Sequence, residues 1–102
     1  MPAFMYVWEF TVAPGQEPGF LELYGPEGAW VRLFRTASGY IDTRLLRSAA
    51  EPARFATIDR WESEAAFRRF RREYAAEFEA IDAAGARLTV HERLIGEYTE
   101  IG

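Results

Sequence analysis

Residues 3–12, AFMYVWEFTV, are rich in strand formers, and alternation sets Phe4, Tyr6, Trp8 and Phe10 on one face with Met5 and Val7 on the other. A strand apolar on both faces belongs at the centre of a sheet, covered twice. APGQEPG (13–19) carries paired proline and glycine and reads as a turn. A helix begins with FLELY at Phe20 and is interrupted by GPEG, where Pro26 suits a first helical position and Glu27 the positive end of the dipole. AWVRLFR then places Trp30, Leu33 and Phe34 at i, i+3, i+4, so the first helix is predicted in two pieces. Two strands follow, YIDTRLLR (40–47) and ARFATIDRW (53–61), joined by the turn SAAEP and therefore paired antiparallel; the second groups Phe55, Thr57, Asp59 and Trp61 on one face.

At RWESEAAFRRF (60–70) that strand ends on a tryptophan and turns into a helix within two residues. Ser63 is the expected N-cap with Glu64 in the first turn, and Phe67, Phe70, Tyr74, Phe78 and Ile81 follow at helical spacing. Basic RRFRR precedes acidic EYAAEFE, the reverse of what a helix dipole prefers, so a bend or break is expected at 72–75. Gly85 is expected to end the helix, and ARLTVHERLIGEYTEI supplies a last long strand whose tail, GEYTEIG, is expected to reach a partner subunit. The order strand, helix, strand, strand, helix, strand is that of a ferredoxin-like α+β fold, βαββαβ, with an antiparallel sheet and the helices on one face. It forms a single domain over 1–102. Met5 and Val7 then lie on a sheet face that nothing in the chain covers, which predicts a homodimer formed sheet to sheet.

The chain has 102 residues, 49% of them hydrophobic and 16% aromatic, which suffices for one compact core. Absence of cysteine excludes a disulfide framework, a thiolate zinc site and a cysteine nucleophile, and His91 is the single imidazole, so no metal is expected. The net charge of −4 argues against nucleic acid as a partner. All 12 basic residues are arginine and asparagine is absent, a bias that a GC-rich coding sequence explains. The N-terminal stretch lacks a basic region and a cleavage site, and no apolar run approaches the ~20 residues that span a bilayer, so a cytoplasmic protein with no membrane partner is expected.

VAPG after an aromatic strand, the WVRLFR helix, SGYIDTRLLR and above all DRWESEAAFRRF resemble the antibiotic biosynthesis monooxygenase superfamily of dimeric α+β barrels. The most specific part is the joint of Trp61, Ser63, Ala66 and Phe67; the resemblance runs through nearly the whole chain. It implies a homodimer and, among the family's activities, either a cofactor-independent oxygenase of a small aromatic phenol or quinol, or a non-catalytic ligand-binding or sensing dimer. The haem-degrading branch uses an asparagine on the first strand, a tryptophan at this joint and a histidine on the following helix. Trp61 matches, but position 8 is tryptophan and His91 falls on the last strand, which argues against haem degradation.

Cofactor-free oxygenation of a phenol needs a dry aromatic slot, a donor for the phenolate and a route for a proton. Trp61 is either a core staple or a pocket wall, and its place at the strand's end favours the pocket edge. Trp61 and Tyr74 are the candidate catalytic residues, Tyr74 as an oxyanion donor. Tyr6, Trp8, Trp30, Phe34, Asp59 and Phe67 are the candidate substrate-binding residues for a small aromatic ligand, with Asp59 a carboxylate base if it is buried. His91 alternates with Thr89 and Arg93 and is expected at solvent or the dimer rim. Arg68, four residues after Glu64, reads as part of a solvated helix face.

Overall fold

A computed structural model describes residues 2–102; Met1, within the expected single domain, lies outside them. The elements are β1 (Phe4–Val12), α1 (Glu17–Tyr24), α2 (Ala29–Phe34), β2 (Tyr40–Arg47), β3 (Arg54–Trp61), α3 (Glu64–Glu73), α4 (Ala75–Ala86) and β4 (Thr89–Thr99). The four strands form one antiparallel sheet in the order β2-β3-β1-β4. This is the ferredoxin-like α+β arrangement, with the helices on one face and the aromatic strand β1 inside the sheet. Among the described residues no helix is long and apolar enough to cross a membrane.

Both helical interruptions are present, each for a local reason. Between α1 and α2 the chain passes through Gly25 and Gly28, where a Cβ would meet the Leu21 carbonyl oxygen at 2.5 Å and the Leu23 carbonyl oxygen at 2.7 Å. Between α3 and α4 the chain bends at Tyr74, with φ −117° and ψ 30°. The bend turns an unfavourable charge order into a tolerable one: Arg71 and Arg72 end α3, and Glu77 lies in the first turn of α4. Ser63 caps α3, its hydroxyl accepting from the Ala66 backbone N–H at 3.1 Å.

Three boundaries differ from the sequence reading. α1 starts at Glu17 inside the expected turn, because Pro18 fits its first turn. Pro26 belongs to the linker, and α2 starts at Ala29 after an extended Gly28. Gly85 lies within α4, buried, where its missing side chain admits the Tyr24 ring. The tail of β4 pairs with β1 through Gly96, Glu97, Tyr98 and Thr99, and β4 is an edge strand whose other side pairs with no strand among the described residues.

The core fills the space between sheet and helices with Phe4, Tyr6, Phe10, Phe20, Phe55, Trp61, Phe67 and Phe70. Burial of each large apolar side chain stabilises the fold by about 1.5–3 kcal/mol, so this aromatic layer supplies much of the driving force. Trp61, Phe20 and Phe70 are its most completely buried large members. On the opposite sheet face Met5 and Val7 are half-buried, beside exposed Tyr98 and Leu46.

Candidate functional site

A cavity of about 400 Å³ lies between the sheet and the helices, within the usual range for a small-molecule site. Its floor comes from alternate residues of the sheet: Tyr6, Trp8 and Phe10 of β1, Thr43 of β2, Thr57 and Asp59 of β3, and Glu92, Leu94 and Glu97 of β4. The helical layer adds Tyr24, Trp30, Val31, Phe34, Phe67 and Phe78, and Arg68, Arg71 and Asp82 stand on the same wall. The hydrocarbon part is thus almost wholly aromatic, and the charged side chains gather toward the β4 edge.

The sheet register explains how the polar floor forms. Asp59 is opposite Tyr6 on β1 and Thr43 on β2, so three polar side chains meet on one face. The Thr43 hydroxyl donates to Asp59 Oδ1 at 2.6 Å. With its one hydrogen so engaged, Thr43 accepts from the Tyr40 hydroxyl at 2.8 Å. Tyr40 is half-buried at the edge strand, so this line of hydroxyls leads from the cavity floor toward solvent. The Tyr6 hydroxyl is turned toward the same carboxyl and accepts the Trp61 indole N–H at 3.2 Å.

Asp59 is only 7% exposed. Burial raises its pKa to about 7, against the opposing effect of hydrogen bonds from Thr43 and Tyr6. Asp42, next to Thr43 on the other sheet face, shows the contrast. The Arg60 guanidinium grips it at 2.8 and 2.9 Å and holds its carboxyl below the ordinary range. Two aspartates on neighbouring strands are therefore set apart by environment, and the one in the cavity has no ion-pair partner among the described residues. Burial and the nearby Asp59 push the Tyr6 phenol well above its usual range, and burial pushes Tyr24 to about 12. Both remain hydrogen-bond donors at any working pH. Glu92 is raised by burial and by Asp82.

Across the wall, Arg68 reaches from α3 to Glu97 of β4 at 3.1 Å while also pairing with Glu64 at 3.2 Å. Its guanidinium lies over the Phe67 ring, and that of Arg71 lies over Phe78 at 3.9 Å. Among the described residues no group of three His, Cys, Asp or Glu side chains is placed to hold a metal ion.

Tyr6, Trp8, Trp30, Phe34, Asp59 and Phe67, all expected from the sequence, are brought together around this cavity. The two residues expected at its chemical centre are not there. Trp61 is 0% exposed and packed among Phe34, Tyr40, Phe67 and Phe70 with ring centroids 5.1–5.5 Å away. The end of a strand leaves a ring uncovered only if nothing closes over it, and here α2 and α3 both do. Tyr74 is held at the bend between α3 and α4 with its hydroxyl toward the Thr36 carbonyl oxygen at 3.5 Å, outside the cavity lining. His91 is exposed on β4, as its polar neighbours implied.

Sequence reasoning missed Tyr24, Thr43, Arg68, Arg71, Glu92 and Glu97. Tyr24 follows Phe20 by four on α1 and was accessible to a helical-face argument. Glu92 shares its parity with Leu94 and was accessible to alternation, whereas Glu97 was not, because the irregularity between Val7 and Trp8 passes over Ile95 and turns Glu97 to the same inner face.

A family model described as antibiotic biosynthesis monooxygenase matches residues 3–84. No curated protein sequence matches the chain. Among solved structures, SnoaB of Streptomyces nogalater, described as a cofactor-independent oxygenase, is similar at 21% identity with a TM-score of 0.75, covering 100% of this chain and 96% of its own. A conserved protein of Methanosarcina mazei Go1 is similar at 16% identity and a TM-score of 0.75, covering 99% and 95%. PA3566 of Pseudomonas aeruginosa is similar at 19% identity and 0.73, covering 100% and 97%. At these identities the structural likeness establishes the fold alone.

Proposed function

The chain belongs to the antibiotic biosynthesis monooxygenase family, and on that premise we propose that it is a cofactor-independent oxygenase of a small aromatic phenol or quinol, bound between helices and sheet, with Asp59 as proton acceptor. One observation carries the reading: a buried carboxyl with a pKa of about 7 and no ion-pair partner among the described residues lies in the floor of an aromatic cavity. A base works best when its pKa is close to the working pH, and a carboxylate at its ordinary value would be far too weak a base for a phenol.

The chemistry balances with dioxygen as the only co-reactant. The phenolic O–H breaks, its proton passes to Asp59, and the electron pair stays on the ring. The electron-rich ring carbon and dioxygen then form a C–O bond, and the proton held by Asp59 passes to the distal peroxide oxygen, giving a hydroperoxide. Loss of water breaks the O–O bond and removes the hydrogen on that carbon, leaving a carbonyl; one oxygen atom enters the product and the other leaves as water. The Thr43 hydroxyl, itself held by Tyr40, donates to the Asp59 carboxylate and supports the ionised form that accepts the phenolic proton. Aromatic walls exclude water and hold a flat ring by stacking.

The reading includes a homodimer, supported by the apolar residues Met5, Val7, Tyr98 and Leu46 on the sheet face away from the helices. Oxygen uptake over a panel of hydroquinones, naphthols and anthrones, with and without added flavin or metal, tests the activity. Uptake with the protein alone is expected; uptake that absolutely requires flavin, or silence across the panel, contradicts it.

A further inference from the structure

Thr57 stands two residues before Asp59 on β3 and shares its face, so both line the floor of the cavity. It is 4% exposed. Its neighbours across the sheet are Trp8 on β1 and Leu45 on β2, neither of which offers a hydroxyl an acceptor. No described residue hydrogen-bonds the Thr57 hydroxyl, and its oxygen is open to the cavity. Thr43 makes the contrast, its hydroxyl held between Tyr40 and Asp59. A buried hydroxyl without a partner is destabilising, and valine would fill the same space without that cost. The free hydroxyl therefore marks a place where an oxygen of something in the cavity is received.

The spacing of Thr57 and Asp59 says which chemistry the pair can do. Side chains two residues apart on a strand stand about 7 Å from each other. A carbonyl group and the carbon next to it bridge that gap, with a contact at each end. Breaking a C–H bond beside a carbonyl needs a base at the carbon and a donor at the oxygen where charge develops. Asp59 is the base, fixed in place by the Thr43 hydroxyl on Oδ1. Thr57 is the donor, and the aromatic walls keep the developing charge in a water-poor site.

We propose that Asp59 and Thr57 give the protein a second activity that needs no oxygen, the isomerisation of small cyclic unsaturated ketones through their enolates. The carboxylate takes a proton from the carbon between the carbonyl and the ring double bond. The electron pair of that C–H bond forms a double bond to the carbonyl carbon, and the carbonyl π pair moves to the oxygen, which accepts a hydrogen bond from Thr57. Asp59 then returns the proton to the far end of the dienolate. The carbonyl re-forms, now conjugated with the ring double bond. One C–H bond breaks and one forms, so nothing is oxidised or reduced overall. The activity shares Asp59 as proton acceptor with the oxygenase reading and uses none of its dioxygen chemistry.

The test is the conversion of 3-cyclohexenone to 2-cyclohexenone under argon, followed by the ultraviolet absorbance of the conjugated product. Wild type is expected to exceed the rate in buffer alone. Thr57→Val should lower kcat about 100-fold, the usual cost of one lost donor to an oxyanion, with KM nearly unchanged, and Thr57→Ser should keep most of the rate. Urea midpoints establish that each variant folds; should the valine variant be unfolded, Thr57→Ala makes the same comparison. Wild type no faster than buffer overturns the isomerase, and oxygen uptake by the same preparation with its phenol panel then tells whether the oxygenase reading stands. Folded Thr57→Val at the wild-type kcat overturns the role of Thr57. Folded Asp59→Asn that isomerises at the wild-type rate overturns Asp59 as the base of this reaction.

Discussion

The Trp61 indole N–H donates to the Tyr6 hydroxyl at 3.2 Å, so a fully buried residue at the end of β3 orients a residue that lines the cavity. Trp61 acts on the site through Tyr6 and through packing, and its substitution is expected to show as stability. Trp61→Ala should cost about 3–5 kcal/mol, the usual range for emptying an aromatic core site. Trp61→Phe keeps most of the volume and should lose about 1–2 kcal/mol, chiefly the hydrogen bond. Urea midpoints check both; a loss under about 1 kcal/mol for the alanine variant would restore Trp61 to an open pocket edge.

Asp59 should make the fold weaker as pH rises. Its folded pKa of about 7 is above the ordinary 3.8, so between these values the folded state holds a proton that the unfolded chain has released. Stability therefore falls across that interval and reaches its full penalty above about 7. Asp59→Asn removes the term and should be more stable than wild type by roughly 2–4 kcal/mol at pH 8, with the advantage vanishing near pH 4. Carboxylates held low by arginine, such as Asp42, act in the opposite sense, but they are common to both proteins and cancel in the difference. Denaturant titrations at both pH values make the comparison, and a constant difference would show that Asp59 titrates normally.

Gly85 and Tyr24 are coupled by contact. A Cβ at Gly85 would stand 2.7 Å from the Tyr24 hydroxyl, and 3.3 and 3.4 Å from the nearest ring carbons. Gly85→Ala should destabilise the wild type by about 1–2 kcal/mol despite the better helix propensity of alanine. In a Tyr24→Phe background the worst clash is gone, and the same change should become neutral or stabilising. A double-mutant cycle measures this, and simple additivity would refute the contact.

For association, light scattering at micromolar concentration should give twice the 11.7 kDa chain mass. Val7→Arg, on the face away from the helices, should shift the population to monomer without loss of helical signal. A wild-type monomer would remove the dimer from the account.

The fold was legible because its signals are local: alternation in β1 and β3, the Ser63 cap, and the charge reversal that marks the bend at Tyr74. The aromatic half of the site was legible too, since Tyr6, Trp8 and Asp59 follow from alternation once the helices are assigned to one face. What escaped depends on tertiary closure. Nothing near Trp61 in sequence says that Phe34 and Phe70 will cover it. Nothing in HERLIGEY announces the irregularity that turns Glu97 inward. Arg68 reads as solvated beside Glu64, and only the folded sheet brings Glu97 to its other side. Asp59 was identified as a base only on condition of burial, which a sequence does not reveal.

The most direct test of the account is the pH dependence of oxygen uptake by wild type and Asp59→Asn, with the best substrate of the phenol and quinol panel. In the wild type kcat should rise as pH passes through about 7, where Asp59 ionises, and reach a plateau above it. In folded Asp59→Asn the rise should disappear and kcat should fall by roughly 100-fold or more, the usual contribution of a positioned base. An Asp59→Asn protein that keeps the wild-type rate and the wild-type pH profile would contradict the assignment of Asp59 as proton acceptor.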